Sequence, residues 1–151
     1  MTRQQVVQHL VGKARASEKQ SGSAFAPSNI ALCKYWGKRD AELNLPVNSS
    51  LSISLGHLGT ETLVSRTPGT DQIILNEKEL APDSAFANRL KRFLDLFRPQ
   101  PDFYFKVLTK NNFPTAAGLA SSASGYAALV RALDAFFRWP LHNPSHADHA
   151  R

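Results

Sequence analysis

The alternation of apolar and polar residues along this chain predicts several short strands. Half-buried strands are expected where apolar and hydroxyl or charged side chains alternate, at residues 24–26, 51–55, 60–66 and 102–110. Residues 72–75 and a short return at 78–80 predict a hairpin that turns at Asn76 and Glu77.

Two longer segments carry apolar residues at helical spacing. The first follows a capping Ser84, runs from Phe86 to Phe97 and is ended by Pro99. The second follows the strand at 102–110 and continues to Pro140. Their apolar stripes indicate core positions. Strands and helices in this order predict an α+β fold, a two-layer sandwich, and not a doubly wound sheet.

The first 20 residues predict an appended helix with a short apolar stripe from Val6 to Val11. They lack the long apolar core of a secretory signal, and no apolar run reaches the ~20 residues of a membrane span. The single cysteine, Cys33, cannot form an internal disulfide, which suits a reducing compartment. We therefore expect a cytoplasmic protein with an N-terminal extension (1–21), one domain (22–140) and a polar tail (141–151).

Composition limits the partners. The 151 residues suffice for one domain, and the net charge of +6 favours an anionic partner. Lysine and arginine are scattered and not interleaved with aromatic residues in a recognised motif, so the sequence predicts no nucleic-acid partner. Phosphorylated small molecules fit a few well-placed cations better.

Residues 111–125 form a loop that leads into the second long helix and consists largely of glycine, alanine and serine. Small residues allow a phosphate to approach the N–H groups that a helix start leaves unpaired. The adjacent hydroxyls of Ser121 and Ser122 suit phosphate oxygens or a bound magnesium ion. The alternative is an ordinary Ser-capped helix with close packing. The loop does not match the common phosphate-loop pattern, because no Gly-Lys-Ser/Thr follows four residues after a glycine. It does not match the dinucleotide pattern either, because its only glycines, Gly118 and Gly125, lie seven positions apart.

A second unusual block spans residues 26–40. Lys34 and Lys38 are four positions apart, so one helical turn or a compact loop would place both ammonium groups on one side. Tyr35 and Trp36 between them supply flat walls with polar tips. The alternative is a solvated basic face. The polar segment 44–52 follows, and its side chains either bind a ligand or stabilise a turn.

Together the segments APSNIALCKYWGKRD, LNLPVNSSLS and NNFPTAAGLASSASG resemble the diphosphomevalonate decarboxylase family of the GHMP kinase superfamily. The resemblance covers about residues 22–139, and its Lys-Tyr-Trp-Gly-Lys-Arg-Asp block is more specific than the small-residue loop. It implies the two-layer GHMP kinase N-terminal domain. It also implies ATP- and Mg²⁺-dependent phosphorylation of the 3-hydroxyl of mevalonate 5-diphosphate, followed by loss of phosphate and carbon dioxide to give isopentenyl diphosphate.

The resemblance also implies roles for individual residues. Lys34, Tyr35 and Lys38 would bind the substrate. The nucleotide side would comprise Asn29, Asn48, Ser49, Ser50, Ala117, Gly118, Leu119, Ala120, Ser121 and Ser122, with Ser122 nearest the metal. The expected partner is the small-molecule substrate, without nucleic acid or membrane, and assembly as a homodimer is left open.

The resemblance implies a protein roughly twice this length, whose second domain closes over the ligand and supplies a catalytic aspartate. No residue here takes that role: Asp40 belongs to the Lys-Tyr-Trp block, and Asp134 lies far along a helix from its phosphate end. His142, His146 and His149 are weak metal candidates in a polar tail. We expect the chain alone to be inactive. The alternatives are a GHMP-type kinase of the mevalonate pathway and an inactive nucleotide-binding module.

Overall fold

A computed structural model describes residues 2–11, 19–114 and 121–139. Within these ranges the chain forms three helices and seven strands: α1 (Arg3–Val11), β1 (Ser21–Cys33), β2 (Lys38–Asp40), β3 (Leu45–Pro46), β4 (Leu51–Thr67), β5 (Gln72–Leu75), β6 (Lys78–Glu79), α2 (Ala85–Leu94), β7 (Tyr104–Asn111) and α3 (Ser121–Phe137).

Five strands form one sheet in the order β1-β4-β7-β5-β6, and β2 pairs with β3 separately. All neighbours are antiparallel except β5 and β7, which are parallel because α2 connects them. The predicted hairpin is confirmed as β5–β6. Asn76 (φ 49°) and Glu77 (φ 68°) both adopt positive φ, as the tight turns that suit the strand twist require.

The core lies between one face of the sheet and the helices. On β7, Phe105 and Val107 are fully buried towards the helices, while Leu108 on the other face is exposed. Leu94 of α2 and Phe136 of α3 meet them from the helical layer. Sheet and helices thus form two layers, so the predicted α+β sandwich is confirmed.

The two longest strands differ from prediction. Residues 51–55 and 60–66, expected as separate strands, belong to one 17-residue strand, β4, and 24–26 is part of the 13-residue β1. The Gly-His-Leu-Gly segment between the predicted strands bends β4 without ending it. Gly56 has φ +57°, and the β1–β4 register shifts nearby, between Pro27 and Asn29. A Cβ at Gly59 would lie 2.3 Å from the Ala26 carbonyl oxygen, so only glycine fits this bend.

The predicted N-terminal helix and the predicted helix after Ser84 are both present, although the second, α2, ends at Leu94 and not at Phe97. In α1, Val11 is buried in the core and Val7 packs against it, so this helix contributes to the domain's interior. In α2, the Ser84 hydroxyl caps the first turn by accepting from the Ala87 N–H at 3.2 Å.

A buried ion pair fixes the far end of α2. The Arg98 guanidinium contacts Asp71 and Asp95, each at 2.8 Å, and Asp71 also accepts from the Phe105 N–H. Burial by itself lowers the pKa of Arg98, but the hydrogen bonds to Asp71 and Asp95 raise it above its ordinary value. The pair therefore ties the loop before β5 to the start of β7.

Candidate functional site

The first turn of α3 carries the two serines that the sequence singled out. Ser121 is half-buried and Ser122 is exposed. The N–H groups of a helix's first turn have no partner within the helix and carry partial positive charge, which favours anions. The predicted residues Ala117, Gly118, Leu119 and Ala120 lie outside the described residues.

A cavity of about 130 Å³ opens beside this turn, between α2, α3 and the sheet. Its wall is mainly apolar, with hydroxyl and amide groups on the strands and one cation on α2. The lining residues are Thr60, Thr62, Leu75, Phe86, Arg89, Leu90, Val107, Thr109, Asn111, Ser121, Ser122, Gly125, Tyr126 and Leu129. A flat apolar group with a few polar atoms would suit this wall, next to a helix terminus that suits phosphate.

Sequence reasoning missed most of these wall residues. Arg89 appeared only as one of several scattered cations, and Asn111 only as the first residue of the small-residue loop. The threonines come from the middle of β4 and β7, where alternation predicts a buried face but not a ligand. The available signal was the run of hydroxyl residues on that face, Thr60, Thr62 and Thr109.

The Lys34–Lys38 block forms a compact loop that leads into a strand. β1 ends at Cys33, Gly37 has φ +72°, and Lys38 pairs with Pro46. Lys34 and Lys38 are both exposed, and Tyr35 is half-buried. The predicted compact arrangement is therefore present, and the helical alternative is not.

The structure brings this loop together with the polar segment that follows it. The Trp36 N–H donates to Asn48 Oδ1 at 2.9 Å, and the Val47 N–H donates to the Gly37 carbonyl at 3.3 Å. Ser49 and Ser50 are exposed just before β4. These contacts place the predicted Asn48–Ser50 segment beside the predicted Lys34–Lys38 segment.

Asn29 lies on β1 at the start of the same region. It is half-buried and pairs with Ser54 just beyond the register shift. Residues 29–58, here called the arm, comprise the end of β1, the β2–β3 pair and the first half of β4. None of the buried hydrophobic residues of the described chain lies in the arm.

The direction of α3 relates the arm to the first turn of this helix. Near its end, Ala132 and Phe136 lie over Gly22 at the beginning of β1. Near its start, Ser124 contacts Thr60, which pairs with Ala26. α3 therefore runs antiparallel to β1, and its first turn faces the end of the sheet from which the arm extends. Among the described residues, no hydrogen bond or ion pair joins the arm to Ser121 or Ser122.

The described part of the chain shows neither a cluster of metal-binding side chains nor a membrane-spanning helix. It contains no group of three or more His, Cys, Asp or Glu side chains placed to hold a metal ion. None of its helices combines the length and the apolar character needed to cross a membrane. The histidines of the predicted polar tail, at 142, 146 and 149, lie outside the described residues.

Comparisons with known proteins agree on one family. Residues 26–151 match the family described as the diphosphomevalonate decarboxylase-like N-terminal domain. The diphosphomevalonate decarboxylase mvd1 of Aspergillus fumigatus is 42% identical over 134 residues, which cover 76% of this chain and 33% of that protein.

Solved structures give the same result. The crystal structure of mevalonate diphosphate decarboxylase from Staphylococcus aureus has a TM-score of 0.70 at 40% identity, covering 79% of this chain and 37% of that one. A structure described as MDDEF in complex with MVAPP, AMPPCP and magnesium has a TM-score of 0.65 at 44% identity, covering 79% and 37%.

The matched relatives are longer than expected. The chain spans about a third of the length of the curated relatives it matches, whereas the sequence predicted roughly half. The agreement of family model, sequence and fold nevertheless extends over most of this chain. The chain belongs to the diphosphomevalonate decarboxylase-like N-terminal domain family.

Proposed function

We propose that this chain forms the nucleotide-binding half, and part of the substrate-binding half, of an ATP-dependent decarboxylase that acts on mevalonate 5-diphosphate. The observation that carries the proposal is the first turn of α3, where Ser121 and Ser122 stand beside a mainly apolar cavity. One helix terminus thus adjoins both an anion-favouring and an apolar surface. A nucleotide has the same two parts, an anionic phosphate group and a flat, largely apolar base.

In this proposal the ATP phosphates lie at the first turn of α3, on the N–H groups and the two serine hydroxyls. Ser122 is exposed and offers an oxygen of the kind that Mg²⁺ prefers, so it is the residue proposed to face the metal. When bound with ATP, Mg²⁺ would neutralise phosphate charge. We propose nucleotide binding for Ala117, Gly118, Leu119 and Ala120 as well, as the family resemblance implies.

The base would occupy the neighbouring cavity. Phe86 and Tyr126 supply its aromatic wall, and Thr109 and Asn111 supply polar atoms on the sheet side. Arg89 contributes a positive charge to the lining. Aromatic walls with a few polar groups are typical of small-molecule sites.

The arm would bind the substrate. Lys34 and Lys38 are exposed cations on one loop, and Tyr35 lies between them with a half-buried ring and a polar tip. Lysine is a flexible point charge that suits phosphate and carboxylate groups. Asn29 and Asn48–Ser50 would line the side towards the nucleotide. Since phosphoryl transfer depends mostly on positioning and charge neutralisation, these groups supply a large part of what the first step needs.

The arm also indicates that this half-site is completed by further protein. Ile30, Leu32, Trp36, Val47 and Leu51 are all exposed. Several exposed apolar side chains on one short segment indicate an interaction site. The relatives extend well beyond the region that this chain matches. We therefore propose that the domain at 22–140 binds nucleotide alone and decarboxylates only with the additional region of its relatives.

The proposal is tested by calorimetric titration of the 151-residue chain with Mg²⁺-AMPPCP. We expect weak but measurable binding, and Ser122→Ala should weaken it about tenfold, the effect of losing one charge-assisted hydrogen bond. Ser23→Ala is the matched control, because Ser23 is exposed on β1 and pairs with Leu63.

Two results would contradict the proposal. If Ser122→Ala and Ser23→Ala bind Mg²⁺-AMPPCP equally well, the phosphates do not lie at the first turn of α3. If the chain alone releases carbon dioxide from mevalonate 5-diphosphate in an ATP-dependent manner, the site is already complete.

A further inference from the structure

Three polar side chains are linked by hydrogen bonds at the first turn of α3, and two of them, Thr60 and Asn111, also line the cavity. Thr60 Oγ1 lies 2.8 Å from Ser124 Oγ and donates to Asn111 Oδ1 at 2.7 Å. Ser124 Oγ also donates to the Ser121 carbonyl at 3.2 Å. Thr60 and Ser124 are each 1% exposed. We call these residues, Thr60, Ser124 and Asn111, the floor triad.

The floor triad connects elements that are distant in sequence. Thr60 belongs to β4, Asn111 ends β7, and Ser124 lies on α3, one turn after Ser121. The Thr60 hydrogen goes to Asn111 Oδ1, so the Ser124 hydroxyl, placed between Thr60 Oγ1 and the Ser121 carbonyl, supplies the hydrogen for both of its contacts. A continuous hydrogen-bonded chain then runs from the sheet to the carbonyl of Ser121.

Because they are buried, these hydrogen bonds restrict where the start of α3 can lie. A buried hydroxyl that loses its partner is costly because water cannot replace the partner. Thr60 and Ser124 therefore favour one placement of the helix start over the sheet. The first turn contains both proposed phosphate-binding serines, so their positions depend on the same contacts.

We propose that Thr60 and Ser124 are positioning residues, which set the nucleotide affinity of the first turn of α3 without contacting the phosphates themselves. This inference rests on the proposed function, since it concerns the same site. It assigns a role to Thr60, which sequence reasoning treated as part of a strand, and a specific role to Ser124, which it treated only as one member of the small-residue loop 111–125.

The chain offers a closely matched pair of variants. Thr60→Val and Thr62→Val each replace a buried hydroxyl by a methyl group on the same face of β4, and both residues line the cavity. The Thr62 hydroxyl, however, contacts Thr109 of β7 at 3.0 Å and makes no hydrogen bond to α3 within the described chain. Either variant could lose a direct contact with a ligand in the cavity. A difference in behaviour between Thr60→Val and Thr62→Val therefore measures the effect of the hydrogen bond to α3.

The first measurement needs no ligand. Hydrogen exchange of the intact chain should show faster exchange in the first turns of α3 for Thr60→Val than for Thr62→Val. Thr60→Ser retains the hydroxyl and should exchange like the wild type. Equal exchange in the two valine variants would overturn the proposal.

The second measurement is calorimetric titration with Mg²⁺-AMPPCP. We expect Thr60→Val to bind about tenfold more weakly than Thr62→Val, with Thr60→Ser restoring affinity. Ser124→Ala removes the same link from the helix side and should reproduce the loss if Thr60→Val fails to fold. Equal affinities of the two valine variants would overturn the inference. Failure of the wild type to bind would overturn the proposed function instead, and hydrogen exchange would still decide the positioning role.

Discussion

The two halves of the proposed site differ in how they are held. The nucleotide half stands on the core: its first turn of α3 is tied to the sheet through Thr60, and its cavity is enclosed by buried residues such as Leu90 and Leu129. The arm carries the proposed substrate lysines, and none of its residues is a buried hydrophobic one. A surface that is packed on the core is already ordered when its ligand binds. A segment without buried hydrophobic residues must be ordered at the moment of binding, which lowers its affinity. This difference predicts nucleotide binding by this chain and substrate binding that needs additional protein.

The difference between the well-packed core and the arm should have its largest effect on the free energy of unfolding of variants in the two regions. Phe136→Ala removes a fully buried ring from α3 and should lower the free energy of unfolding by about 3–5 kcal/mol. Ile53→Ala in the arm removes an exposed side chain and should change it by less than about 0.5 kcal/mol. Urea unfolding of both variants measures the difference. A comparable loss in both would show that the arm is as well packed as the core.

The sequence could predict the parts of the fold that depend on local pattern. The Ser84 cap and the hairpin turn at Asn76 and Glu77 are each determined by neighbouring residues, and both are confirmed. The continuity of β4 could not be predicted, because the two glycines that suggest a break have other roles: Gly59 packs closely against β1, and Gly56 adopts the positive φ of the bend. Local pattern indicates what a segment prefers, and tertiary contacts decide where it ends.

The same distinction applies to the site. The Lys34–Lys38 loop and the serines of α3 stood out because their residue types are unusual and clustered in sequence. The link within the floor triad did not, because Thr60 lies 64 positions from Ser124 and resembles an ordinary core hydroxyl, while Asn111 and Ser124 were noticed only as members of the loop 111–125. Their relation exists only once the sheet and α3 are packed together. The short motif therefore contained Ser124, but it could not show that Ser124 is held by Thr60 on a distant strand.

The next effect concerns the ion pair beside the core. Asp71→Asn leaves Arg98 partly buried without its main partner and should cost about 3 kcal/mol of unfolding free energy. Asp95→Asn removes the more exposed partner of the same guanidinium and should cost less than about 1 kcal/mol. Thermal or urea unfolding distinguishes the two. Equal losses would mean that burial does not determine the strength of this cluster.

The two tryptophans report on the two regions separately. Trp36 in the arm is 85% exposed, whereas Trp139, beside the core, is 4% exposed and stacks on Phe137. In Trp139→Phe the remaining fluorescence should be strongly quenched by acrylamide, and in Trp36→Phe it should be largely protected. Protection of Trp36 to the level of Trp139 would show that another part of the chain covers the arm. Protection of Trp36 on addition of a further polypeptide would identify what completes the site.

The smallest expected effect is pH-dependent and lies at the edge of the nucleotide half. Lys110 Nζ bonds Glu77 Oε1 at 2.6 Å, and this hydrogen bond lowers the pKa of Glu77 and raises that of Lys110. Because the folded-state pKa of Glu77 is lowered, the pair stabilises the fold above the ordinary glutamate value, and the contribution disappears as the pH falls through the folded-state pKa. Both side chains are exposed, so the change should be slight and weaker in high salt. An NMR titration of Glu77 should show its pKa rising in Lys110→Met, and an unchanged value in that variant would contradict the assignment of the shift to Lys110.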